Sequence, residues 1–80
     1  MLVTENECQE LVRVLEKRFP RLQFEVERDL DVRGNHYIFV LSDGPDYLPD
    51  LKPVVFDSWR WSGWVNLDQR NNMCVIKKAE

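Results

Sequence analysis

The sequence predicts an α+β fold: one N-terminal helix packed on a four- to five-stranded antiparallel sheet, in a single domain spanning residues 1–80. Three observations point there. A capping signal at Thr4 opens an apolar stripe at helical spacing, the pattern switches to a period of two after Pro20, and short apolar runs separated by turn-forming residues follow.

The helix comes first. Thr4 and Glu7 form a T-x-x-E capping box, with Val3 and Cys8 placed to act as a hydrophobic staple. Cys8, Leu11, Val12, Leu15 and Phe19 then recur at spacings of three and four, while Glu5, Gln9, Glu10, Arg13, Glu16 and Lys17 fall mostly off that stripe. Acidic residues in the first turn and Lys17-Arg18 in the last suit the helix dipole, and Pro20 ends the helix.

From Arg21 to Asp31 side chains alternate. Leu22, Phe24, Val26 and Leu30 are expected on one face and Gln23, Glu25, Glu27 and Asp29 on the other, with the helix covering the apolar one. Val32 to Asn35, containing Gly34-Asn35, reads as a hairpin turn leading into His36–Leu41, a strand apolar on both faces and therefore central. Ser42 to Asp50, with two prolines and a glycine, is a long irregular connection. Val54-Val55-Phe56 reads as strand continuing through Trp59 and Trp61. Trp64–Leu67 and Met73–Ile76 read as two more strands around a turn at Asp68–Asn72.

Composition narrows the function classes. At 44% hydrophobic and 31% charged, the chain is too apolar for a disordered protein. It carries no apolar run near the roughly 18 residues of a membrane span, and its start turns acidic where a signal peptide would be basic. Cys8 and Cys74 without a CxxC suit reduced, packed thiols, and the expected location is cytoplasmic. The net charge of −3 is uneven: residues 1–50 hold 6 basic and 11 acidic side chains, residues 51–80 hold 5 and 3. An acidic chain repels polyphosphate, which argues against non-specific duplex binding.

Catalytic equipment is sparse, and no enzyme, cofactor or metal is expected. His36 is the lone histidine and suits a turn-flanking polar group. Gly34, Gly44 and Gly63 stand singly, unlike a phosphate-cradling loop. Cys8 lies in a first helical turn, where a thiol pKa can fall, but it belongs to the buried stripe. Asp43, Asp46 and Asp50 depart from the spacing of a calcium loop, although Asp43, Asp46 and Tyr47 resemble the acid and aromatic mix of a protein-binding loop. Glu25, Glu27 and Asp29 form an acidic face suited to a basic partner and lack room for a glycosidase cleft.

The densest signal is Trp59-Arg60-Trp61-Ser62-Gly63-Trp64. A domain this size hides only roughly 60–65% of its unfolded surface, so some indole surface is expected to face water. At least one of Trp59 and Trp61 is expected in the core. If Ser62-Gly63 is a hairpin turn, Trp61 and Trp64 become cross-strand neighbours and the three indoles form a platform beside Arg60 and Arg70; if it is a bulge, one long strand continues. The expected function is a non-enzymatic protein-binding module, an inhibitor or adaptor that occludes a site on a larger protein, using Trp59, Arg60, Trp61, Trp64, Asp43, Asp46, Tyr47, Glu25 and Glu27. The alternative is single-stranded nucleic-acid binding by Trp and Arg stacking, with Lys77-Lys78 assisting. A monomer is expected, or an edge-paired homodimer if the last strand lies at a sheet edge, where Lys77 and Lys78 discourage pairing.

Overall fold

The computed structural model describes residues 2–31, 33–42, 44, 46–55, 58–67 and 71–79. In chain order they form α1 (Glu5–Arg18), β1 (Leu22–Arg28), β2 (His36–Ser42), β3 (Trp59–Trp61), β4 (Val65–Asn66) and β5 (Asn72–Lys78). The strands make one five-stranded antiparallel sheet ordered β1-β2-β5-β3, with β4 also paired to β5. This is the α+β arrangement of one helix on an antiparallel sheet that the sequence predicts. Among the described residues no helix is long and apolar enough to cross a membrane.

The helix begins where the capping signal lies. Thr4 is extended, and its hydroxyl accepts the Glu7 amide at 3.2 Å, satisfying a donor that has no partner inside the helix. The Glu7 carboxylate reaches across to Lys78 on β5, tying the first turn to the sheet. Cys8, Leu11, Val12 and Leu15 are buried and Phe19 packs at the margin. Full burial of one such aliphatic side chain contributes roughly 1.5–3 kcal/mol, so this stripe is the main anchor of the helix.

β1 stops at Arg28, earlier than alternation alone suggests. Leu30, expected beside Leu22, Phe24 and Val26, is 100% exposed, because the chain has left the sheet. The Asp29 amide donates to the Asn35 carbonyl at 2.6 Å. Inside that turn the Asp31 carboxylate accepts the amides of Gly34 and Asn35 at 2.8 and 3.3 Å and the Asn35 side-chain amide at 3.2 Å. These bonds, the Asn35 side chain first, hold the Asp31 carboxyl below its usual range. Gly34 sits at φ 68°, a region costly for other residues, while Val32 lies outside the described residues.

The register sorts the sheet into two faces. Directly paired residues share a face, so Leu22, Phe24 and Val26 of β1 align with Ser42, Val40 and Ile38 of β2, and these with Asn72, Cys74 and Ile76 of β5. That face lies under α1. Beyond the helix it is covered by residues 47–55, whose Leu51 and Val54 are buried. The expected strand at Val54-Val55-Phe56 is not formed at Val54 and Val55. Both amides donate to the Leu51 carbonyl at 3.0 Å, closing a turn that drops Leu51 and Val54 into the core, and Phe56 lies outside the described residues. The buried Ser42 hydroxyl anchors the entry to this cover, lying 2.6 Å from the Tyr47 carbonyl and 2.9 Å from that of Gly44.

The Ser62-Gly63 ambiguity resolves as a bulge. β3 and β4 run in the same direction along β5, pairing Trp61 with Ile76 and Val65 with Met73. Four steps on one strand therefore span three on the other. Gly63 takes φ 81°, and Ser62 bridges the gap: its amide donates to the Val75 carbonyl and its hydroxyl accepts the Val75 amide. β5 thus lies inside the sheet, so the condition for edge pairing through the last strand is not met. Of the turn expected at Asp68–Asn72, residues 68–70 lie outside the described residues, and the Leu67 amide closes it on the Asn71 carbonyl.

Candidate functional site

The bulge decides where the tryptophans go. Along an unbroken strand Trp64 would point away from Trp61. The extra residue reverses the alternation, so Trp59, Trp61 and Trp64 all pack against the core cluster. Trp61 and Trp64 meet edge to face, with centroids 6.4 Å apart and planes at 76°. The Trp64 indole donates to the Pro49 carbonyl at 2.9 Å, fastening the 47–55 cover to the sheet. Each ring is half-buried. The three indoles therefore do gather on one side, as the platform expectation requires, but that side is the covered one and a bulge brings them together, where the expectation invoked a hairpin turn.

The thiols share this interior. Burial pushes Cys8 up to about 11, with Glu7 adding to the rise and Lys78 opposing it. Burial likewise pushes Cys74 up to about 11, and the Trp61 indole opposes the rise without cancelling it. Among the described residues the Trp61 Nε1–H is buried with no full hydrogen-bond partner, and the sulfur it acts on is a weak acceptor. Thiols held neutral in this way are poor nucleophiles at ordinary pH.

The remaining candidates separate. His36 binds the N-terminal segment: its backbone amide and Nδ1 both approach the Val3 carbonyl, at 3.0 and 3.2 Å, beside an Asn35 side chain that accepts the Val3 amide. Tyr47 packs against the core with the Arg21 guanidinium 4.2 Å over its ring, so it is a support of the loop. Asp46 is exposed, Asp50 accepts the Lys52 amide, and Asp43 and Arg70 lie outside the described residues. Among the described residues no group of three or more His, Cys, Asp or Glu is placed to hold a metal.

Glu25, Glu27 and Arg60 belong to the opposite face of the sheet, and this face is the feature that sequence reading underrated. Neither α1 nor the 47–55 segment lies on it. Its registered rows run from β1 across β2 and β5 to β3 and β4. The first row is Glu27, Tyr37, Lys77 and Arg60; the second is Glu25, Phe39, Val75 and Ser62; the third is Gln23, Leu41, Met73 and Val65. Leu67 extends it past the third row. Two apolar columns thus stand between an acidic strand and an edge carrying Arg60 at one end and Val65 and Leu67 at the other. Tyr37, Phe39, Leu41, Met73 and Val75 are half-buried, Val65 is 56% exposed and Leu67 55%. Lys77 bridges to Asp29 at 3.2 Å and lies 5.3 Å over the Tyr37 ring.

A signal for this face existed in the sequence. His36–Leu41 is apolar at every second position on both sides, and alternate positions of Met73–Ile76 are apolar as well, which asks for a cover on each face. One helix covers only one. At the end of the sheet, Arg60, Lys77, Lys78, Asp29, Asp31 and His36 line a cleft of about 420 Å³, too mixed in charge to select an ion of either sign. Comparison with protein-family models, with curated proteins and with solved structures finds no match.

Proposed function

We propose that this chain is a non-enzymatic protein-binding module, an inhibitor or adaptor in type, and that it docks through the open face of its sheet. The observation that carries the reading is the uncovered apolar centre of that face, Phe39, Leu41, Met73 and Val75 continued by Val65 and Leu67, set between acidic and basic flanks. A contiguous apolar area rimmed by charge is the surface pattern of a protein contact. Its centre supplies the desolvated contact and its flanks set the orientation. The partner it fits is a protein with an apolar strip, basic side chains where Glu25 and Glu27 will lie, and an acidic group opposite Arg60.

A photo-crosslinking side chain at Val65 tests this directly, with Val14, on the exposed side of α1, as the control position. A protein adduct at position 65 that is absent at position 14 and lost on Phe39→Asp is the expected result. The same adducts at both positions, or none at 65, would overturn it.

Single-stranded nucleic-acid binding, the second expectation, needs indole faces free to stack. Trp59, Trp61 and Trp64 are packed against the core, and Lys78 is engaged by Glu7. Oligonucleotides are accordingly expected to leave the indole fluorescence unchanged at low salt.

A further inference from the structure

We propose that the open face is its own complement and that two copies of this chain pair through it, sheet on sheet, about a two-fold axis parallel to the strands. The proposal rests on reading that face as a protein-docking surface and supplies it with a partner.

The order of charges in one row selects the pairing. Glu27 pairs with Tyr37 and Lys77 with Arg60, and Tyr37 and Lys77, one step past the Ile38–Ile76 pair, meet with the ammonium over the ring, so the four are successive neighbours across the four columns. A two-fold axis lying between β2 and β5, parallel to them, exchanges β1 with the β3–β4 edge and β2 with β5 while keeping each row at its level. Glu27 of one copy then meets Arg60 of the other, and Tyr37 meets Lys77, the cation already near a tyrosine ring within its own chain. Phe39 meets Val75 in the next row, and Leu41 meets Met73 in the one after, so the apolar columns cover each other. The other face-to-face choice, an axis across the strands, lays β1 on β1 and sets the Glu25–Glu27 stretch of one copy against the acidic strand of the other. Charge therefore selects one pairing and penalises the other.

An isologous contact repeats every interaction, so the Glu27–Arg60 pair occurs twice in each dimer. Aligned sheets pack about 10 Å apart and rotated by about 30°, which keeps the central rows in register and loosens the outer ones. A standard interface covers about 800 Å² per partner, to be set against a total accessible surface of 5593 Å² for this chain. The sheet face alone, about four strands at about 4.8 Å spacing by roughly 23 Å of length, comes to about half that size. A weak, reversible dimer is the consequence. Any other protein that binds this face must compete with the second copy.

Sedimentation equilibrium of the purified chain over a wide concentration range, with charge exchange, tests the pairing. Glu27 and Arg60 are both exposed, so their substitution leaves the core untouched. The wild type is expected to dimerise. Glu27→Arg and Arg60→Glu should each weaken dimerisation by about tenfold or more, and the double variant should recover most of that loss, because each exchanged charge again meets its opposite across the axis. A wild type that stays monomeric to millimolar concentration, or a double variant no better than the singles, would overturn the proposal. The crosslinker at Val65 separates this from failure of the docking reading. A foreign adduct formed by a chain that is monomeric alone sinks only the self-pairing, whereas no adduct of either kind sinks both.

Discussion

The two faces of the sheet are cut from the same strands, residue by alternate residue, yet they are finished differently. On one face Ile38, Val40, Cys74 and Ile76 are fully buried under α1 and the 47–55 cover, and three indoles seal the margin. On the other, Phe39, Leu41, Met73 and Val75 are only partly buried. Apolar character alone does not separate the faces. What separates them is where the described covering segments lie, since α1 and residues 47–55 both pack on the first face.

The neighbours Ile38 and Phe39 give the sharpest test of that contrast. Ile38→Ala removes fully buried contacts and is expected to cost about 2–5 kcal/mol, enough to unfold much of a small domain, whereas Phe39→Ala should cost about 1 kcal/mol. Equal losses in urea unfolding would mean that the open face is also core. The bulge supplies a second pair. Trp64→Ala forfeits the edge contact with Trp61 and the bond to Pro49, at about 2–4 kcal/mol, while Val65→Ala should lie within about 0.5 kcal/mol of wild type.

Alkaline pH probes the covered face alone. Burial raises both thiols from 9.0 to about 11, so the unfolded chain ionises first. Stability is then intact below pH 9 and is withdrawn as pH rises toward 11, and neither thiol should react with a disulfide reagent in the folded protein near pH 8. Rapid labelling of both at that pH would contradict their burial. Ser42→Ala, at the point where the cover is anchored, is expected to cost about 1–2 kcal/mol by leaving the Tyr47 and Gly44 carbonyls without that donor. A modest effect is expected at Gly63. A Cβ there meets no atom within 4 Å, so Gly63→Ala should cost only the backbone strain of its φ of 81°, about 1 kcal/mol.

The helix and β1 were legible because their signals are local: the Thr4 cap, the stripe from Cys8 to Leu15 and the alternation from Leu22 are each read within a few residues. Leu30 escaped because three hydrogen bonds to one carboxylate, Asp31, outweigh the alternation and turn the chain. Val54 and Val55 have the composition of a strand, but the partner strand was not there to pair with them, and a turn on Leu51 buries one of them more fully. The tryptophans drew attention as surface candidates on an argument about interior volume, and packing edge to face lets the interior take most of them. The open face needed strand order to be seen, since only the register sets Glu27, Tyr37, Lys77 and Arg60 side by side from four separate stretches of sequence.

The bulge that absorbs Gly63 as a surplus residue keeps the phase of everything that follows it along this edge. If the bulge were lost and Gly63 paired as an ordinary position opposite Cys74, the Trp64 indole would turn outward and Val65 inward, changing the packing of the core and the chemistry of the contact surface in the same event. Interior and exterior are therefore not separately adjustable along this edge: a slip of one residue in the pairing past Ser62 would exchange one molecular identity for another, with no graded path between them.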